Sequence, residues 1–201
     1  MTNDYIFVFD LDSVITKQEI LPTIAKHIRK EKDMRELTEK CMSGNIPFTH
    51  SFLKRVDILK DIPITIVQEI ISEIPLHNDI VDFIQSNSER CYVVTGNLDV
   101  WIEPLMKKIG MEKHYFSSIA SCSNDKLGQV LSVMDKKMVL SQFITPFVAV
   151  GDGSNDAEML SLSDIGIGYG GVRKIATSAL TCANYAFHEE DKLCQFLKQL
   201  L

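Results

Sequence analysis

Asp10 and Asp12, in the stretch FDLDSVIT, are two carboxylates one residue apart, directly after the apolar run Tyr5 to Phe9. Such a pair is costly unless a cation or a proton relieves the repulsion. A second acidic cluster, Gly151-Asp152-Gly153-Ser154-Asn155-Asp156, follows the run FVAV. Its glycines let the backbone approach a ligand closely, and its oxygens are hard donors of the kind Mg²⁺ takes. VVTG places a hydroxyl, Thr95, after a third apolar run, and Gly96 offers a backbone N–H to an anion at the start of a helix. Lys136 or Lys137 opens a short helical stretch before FVAV and supplies a positive charge. Carboxylates for a metal, a hydroxyl and a glycine N–H for an oxyanion, and a lysine together describe a phosphoryl-transfer site. Any one of them is ordinary loop chemistry. The four in this order are not.

Positioning these groups falls to the apolar runs that precede them. Tyr5 to Phe9, Cys91 to Val94, Phe147 to Val150, Ile165 to Ile167 and Tyr185 to Phe187 are short and β-rich, and they alternate with segments of helical periodicity. That pattern predicts an α/β fold with a doubly wound, mainly parallel sheet, whose ligands bind at the carboxyl ends of the strands. Between Asp12 and about Asn78 only helical signals occur. Ile20, Ile24 and Ile28 recur at spacing four within Thr16 to Lys30, Asp33 and Glu36 have the spacing of a capping pair, Pro47 opens a third helix, and a fourth follows Pro63 and ends at Pro75. The expected organisation is a catalytic core of residues 1–14 and 79–201, with a small all-helical cap, 15–78, inserted after the first strand.

FDLDSVIT, VVTG, the lysine and GDGSND resemble, in order, the four motifs of the haloacid dehalogenase superfamily of aspartate-nucleophile phosphatases. The resemblance implies that Asp10 attacks phosphorus and forms an aspartyl-phosphate, while Asp12 protonates the leaving oxygen and then activates water. It implies Mg²⁺ held by the Asp10 carboxylate, the Asp12 carbonyl and Asp152, with Asn155 and Asp156 in support, and Thr95, Gly96 and a lysine holding the phosphoryl oxygens. Of the two lysines, Lys136 is preferred, because Val139 and Leu140 stand three and four residues after it, as in the lysine-opened helix of such phosphatases. Asp12 argues against carbon–halogen cleavage, since members that perform it lack this acid. The insertion point and the stretch FLKRVDILKDIP further resemble the phosphoserine phosphatase subgroup. There Arg55 corresponds to the arginine that grips the substrate carboxylate, Glu19 to the glutamate that meets its amino group, and Met42 and Phe48 to the apolar pocket walls. A guanidinium suits a carboxylate and a carboxylate an ammonium, so O-phosphoserine is the expected substrate. The chain departs from that pattern at Asn97, where a second glycine is usual, and in shortened segments between Lys136 and Asp152 and between Phe116 and Val133; these departures favour the alternative of another small phosphorylated metabolite, or of transfer to an alcohol in place of water.

Composition bounds the alternatives. The 201 residues are 45% hydrophobic and 24% charged with a net charge of −6, which fits a globular protein and runs opposite to the usual nucleic-acid binder. No apolar run approaches the ~20 residues that span a bilayer, and MTNDYIFVFD has no basic n-region, so neither membrane nor secretion is expected. Cys41, Cys91, Cys122, Cys182 and Cys194 are scattered, which suggests reduced thiols and a cytoplasmic protein acting on a small phosphorylated metabolite. Gly166, Gly168 and Gly171 spell GxGxxG but begin inside an expected strand, which argues against dinucleotide binding. The five histidines show no zinc-ligand spacing. A receiver-type signalling module also gathers acids, a hydroxyl and a lysine around Mg²⁺; the helical insert and Asp12 weigh against it.

Overall fold

The computed structural model describes residues 4–42 and 45–201. Seven strands, β1 (Ile6–Phe9), β2 (Cys91–Leu98), β3 (Tyr115–Ser123), β4 (Lys126–Ser132), β5 (Phe147–Gly151), β6 (Ile165–Tyr169) and β7 (Tyr185–Phe187), form one sheet. Their spatial order is β4-β3-β2-β1-β5-β6-β7, parallel throughout except for the β3–β4 hairpin. The chain leaves β1 toward β2 and later crosses back to β5 on the other side of β1. Successive strands therefore diverge beside β1, which is where a parallel sheet opens a crevice at its carboxyl ends.

The central strands are buried on both faces, as a parallel sheet covered by helices requires. Phe7 and Phe9 of β1 join one hydrophobic cluster and Val8 the other, and in β5 Val148 and Val150 alternate in the same way with Phe147 and Ala149. Phe9 stands level with Val93 of β2 and Val150 of β5, so the residues just past these positions emerge together at one edge. The first face carries α5 (Asn78–Ser86), α6 (Asp99–Lys108) and α10 (Glu190–Lys198); the second carries α7 (Lys136–Leu140), α8 (Ala157–Leu162) and α9 (Thr177–Cys182).

Four further helices, α1 to α4, lie between β1 and α5 and form the insert: helix A (α1, Ile20–His27), helix B (α2, Glu31–Met42), helix C (α3, Phe48–Leu59) and helix D (α4, Ile64–Ser72). Prolines 47 and 63 stand at the N-caps of C and D. Helix A starts at Ile20 rather than Thr16, because Thr16 pairs instead with Leu76 in an isolated bridge that joins the entry and exit of the insert. Asp33 and Glu36 lie inside helix B rather than capping it, and Glu36 pairs with Lys40 one turn on at 2.6 Å. Ile20, Phe52 and Val67 belong to the same buried cluster as Phe7 and Phe9, so the insert shares the hydrophobic core of the sheet.

The β3–β4 hairpin goes beyond the five strands expected from sequence. Its strands are largely exposed and rich in serine, so they lack the apolar runs that mark the central strands. The signal that betrays it is the two-residue turn Asn124-Asp125, both residues in the left-handed region at φ 50° and 61°, as a tight hairpin requires. The turn reaches helix D, where the Asp125 carboxylate accepts hydrogen bonds from Thr65 N (2.9 Å) and Thr65 Oγ1 (2.7 Å). Helix D is tied to α6 as well, through Gln68 Nε2 to Val100 O (2.8 Å) and Lys108 Nζ to Ser72 O (3.2 Å). None of the described helices is long and apolar enough to cross a membrane, and the five cysteines are free.

Candidate active site

The turn after β1 aims two acids back at the sheet edge. Asp10 N donates to Val150 O at 2.9 Å, which locks the end of β1 to β5. Ser13 takes a left-handed conformation, φ 62°, and its N–H is held by Thr16 Oγ1 at 3.2 Å. This reversal leaves Asp12 facing the crevice, where Oδ1 accepts from Ile20 N at the start of helix A (2.6 Å) and Oδ2 from Asn97 Nδ2 (2.6 Å). Asn97 also donates to Thr95 Oγ1, at 3.0 Å from its amide and 3.2 Å from its backbone N–H. The residue that departs from the phosphatase pattern thus joins the hydroxyl of β2 to the second acid of β1.

At the last position of β5, Gly151 is required by close approach, since a Cβ there would overlap the Asp156 carboxyl. Asp156 Oδ2 accepts from Asp152 N (2.9 Å) and Gly153 N (2.8 Å) and so shapes the acidic loop. Lys136, the first residue of α7, is buried between Asp10 Oδ1 at 2.5 Å and Asp156 Oδ1 at 2.6 Å. Lys137 points outward and pairs with Glu158 at the surface. One oxygen each from Asp10, Asp152 and Asp156 lies within 4.8 Å of the others, and all three residues are buried.

Burial governs the electrostatics. It raises the Asp10 carboxyl well above the ordinary range, and the neighbouring Asp156 raises it further against the opposing pull of Lys136. Burial likewise pushes Asp152 up to about 7, although Arg173 pulls the other way. For Lys136 burial disfavours the charge, but Asp10 and Asp156 outweigh it and hold the ammonium above its usual range. Asp152 Oδ1 is buried and has no hydrogen-bond partner among the described residues. Three buried carboxylates within reach of one another, one of them with an orphaned oxygen, fit a divalent cation.

Above the acids lies a cleft lined by Asp10, Asp12, Thr95, Gly96 and Asn155 from the sheet side and by Glu19, Phe48 and Arg55 from the insert. Phe48 packs directly over Gly96, where a Cβ would overlap its ring. Arg55 is buried on helix C, with Nε 3.4 Å from Ser51 O and Nη1 3.4 Å from Thr38 Oγ1. No carboxylate lies within ion-pair distance of it among the described residues, and burial lowers its pKa. The side chain of Met42, the other expected wall, lies outside the described residues.

A family profile for haloacid dehalogenase-like hydrolases matches residues 6–164. The chain belongs to that family. Among curated relatives of this haloacid dehalogenase-like chain, the phosphoserine phosphatase of Archaeoglobus fulgidus is 28% identical over 179 residues, 82% of this chain and 52% of the relative. That of Methanocaldococcus jannaschii is 28% identical over 178 residues, 82% of this chain and 84% of the relative. The chain therefore spans about half the length of the first relative and most of the second. A solved structure of a phospho-aspartyl intermediate analogue of phosphoserine phosphatase superposes with a TM-score of 0.79 at 25% identity, covering 96% of this chain and 97% of that one. In sequence and fold the chain is phosphoserine phosphatase-like.

Arg173 is the site residue that sequence reasoning missed in this haloacid dehalogenase-like chain. It follows β6, and it pairs through Nε with Asp152 Oδ2 and through Nη1 with Glu19 Oε1. Burial disfavours its charge, but Asp152 and Glu19 hold its pKa above the ordinary range. The available signal was positional: Gly170-Gly171-Val172-Arg173 leaves the carboxyl end of a parallel strand, where ligands of such sheets bind.

Proposed function

We propose that the chain is a Mg²⁺-dependent phosphomonoesterase that works through an aspartyl-phosphate on Asp10. Its substrate is a small phosphorylated metabolite carrying a carboxylate, the class to which O-phosphoserine belongs. The observation that carries this reading is the buried Asp10–Lys136 pair at the floor of a cleft whose roof holds Arg55, a buried guanidinium with no ion-pair partner among the described residues. Five free cysteines support a cytosolic setting.

Asp10 and Asp152, with the Asp12 carbonyl, would hold the metal, and Asp156, whose oxygens already serve Lys136 and two loop amides, would steady them. When bound, Mg²⁺ neutralises the carboxylates and polarises the phosphoryl group. Asp10 attacks phosphorus as the ester P–O bond breaks, and Asp12 passes its proton to the leaving oxygen. Thr95 Oγ1, the Gly96 N–H and Lys136 hold the phosphoryl oxygens, with Asn155 at the rim of the cleft. Asp12 then takes a proton from the water that attacks the acyl phosphate, which releases phosphate and restores Asp10. Arg55 holds the substrate carboxylate, and the insert acts as the cap that reads the substrate.

Turnover of a panel of small phosphates by wild type and Arg55→Ala tests the substrate class. The variant is expected to lose about 10²-fold or more in kcat/KM on carboxylate-bearing esters while keeping p-nitrophenyl phosphate hydrolysis within a few-fold. Equal losses on both, or none, would remove Arg55 from recognition. Mg²⁺ at about 100 times its Kd is expected to raise Tm by roughly 5–10 °C, a shift that Asp152→Asn abolishes. Asn97→Ala, which frees Asp12 Oδ2, is expected to lower kcat by about tenfold with little change in KM, measured in steady state.

A further inference from the structure

We infer that the favoured ester carries a carboxylate and no ammonium group, because Arg173 already holds Glu19, the residue that would read the ammonium. This narrows the phosphomonoesterase reading and rests on it. Among the described residues lining the cleft, Glu19 is the one carboxylate besides Asp10 and Asp12. Both of the latter face the reacting end: Asp10 is paired with Lys136, and Asp12 accepts from Ile20 N and Asn97. An ammonium on the substrate therefore has Glu19 as its available counter-charge.

Glu19 is committed elsewhere. The guanidinium of Arg173 spans the gap between the acidic loop and helix A, with Nε on Asp152 and Nη1 on Glu19. Both Glu19 and Arg173 keep only 23% of their side-chain surface, so solvent does little to screen the pair. A planar guanidinium fixed between two carboxylates loses less entropy per hydrogen bond than a mobile ammonium would, so it holds this position in the competition for Glu19. The remaining walls near helix A, Leu21 and Pro22, offer an ammonium no acceptor side chain. Arg173 is thus a specificity-determining residue that acts through Glu19.

The test compares kcat/KM, with Mg²⁺, for O-phospho-L-serine and for 3-phosphooxypropanoate, the same skeleton with hydrogen in place of the ammonium. p-Nitrophenyl phosphate reports the chemistry independently. Wild type is expected to prefer the deamino ester by about tenfold or more, and Arg173→Met, by freeing Glu19, to move the ratio toward phosphoserine by a similar factor. Any general loss from disturbing Asp152 cancels in that ratio. Glu19→Gln is expected to keep or strengthen the wild-type preference. A wild-type preference for phosphoserine that Glu19→Gln lowers, or a ratio unmoved in Arg173→Met, would overturn the inference and leave the phosphatase reading intact if p-nitrophenyl phosphate is hydrolysed. Hydrolysis of none of the three esters would overturn both.

Discussion

Asp10→Asn is expected to lower turnover of every phosphate ester by at least about 10⁴-fold while the protein stays folded. The amide keeps the size and the hydrogen-bonding oxygen of the carboxylate but cannot serve as the nucleophile. The fold survives for an electrostatic reason. Burial, and then the neighbouring Asp156 and Asp152, raise the Asp10 carboxyl above the ordinary range, so removing its negative charge relieves both desolvation and repulsion. Lys136 keeps Asp156 as a partner at 2.6 Å. Steady-state kinetics on p-nitrophenyl phosphate, with circular dichroism melting on the same sample, checks both halves. A folded variant with wild-type turnover would remove Asp10 from the chemistry.

Lys136→Met is expected to do the opposite in one respect, costing stability as well as activity. The side chain is buried, and it is the ion-pair partner of both Asp10 and Asp156, themselves buried. Methionine fills a similar volume but leaves two carboxylates without their cation, and breaking a buried pair in this way costs about 3–5 kcal/mol. Part of that is recovered when the acids take up protons, and part when Mg²⁺ binds beside them. The variant should therefore unfold at lower urea than wild type, with a deficit that shrinks when Mg²⁺ is added. Turnover should fall by about 10²–10³-fold, the usual loss when one donor to a developing oxyanion is removed. A stability equal to wild type in metal-free buffer would show that Lys136 does not neutralise the acids.

The parts of the molecule legible in the sequence are those whose physics is local. Buried parallel strands need apolar runs, and β1, β2, β5 and β6 announce themselves in that way, as does the short edge strand β7 through its aromatic residues. Helices C and D are marked by the prolines at their N-caps. The acids and the lysine could be placed because each follows or opens such an element, whereas Thr95 and Gly96 lie inside β2, which runs on to Leu98 before α6 begins at Asp99, so Gly96 is not at the start of a helix. The β3–β4 hairpin was not legible in the same terms, since an exposed edge needs no apolar face and only its turn carries a signal. Arg173 escaped for a different reason: Glu19 is 154 residues away in the chain, and no spacing rule connects a loop after β6 with the start of helix A. Helix B differs for a local reason: the Asp33–Glu36 spacing of a capping pair also occurs inside a helix, where Glu36 pairs instead with Lys40 one turn on.

The attachments of helix D have a mechanical consequence. Helix D is pinned to the β3–β4 turn and to α6, and the strand-like crossing at Thr16 and Leu76 pins the chain on either side of it. Helices A, B and C cross to the sheet side through the polar contacts of Ile20 with Asp12, Glu19 with Arg173 and Ser154 with Cys41. Helices A and C are fastened by apolar contacts as well, since Ile20, Ile24 and Phe52 share the buried cluster of the sheet and Phe48 packs on Gly96. The insert is thus riveted along its length rather than hung from one end, and Arg55 and Phe48, both on helix C, are held over the acids by the same core that carries the strands.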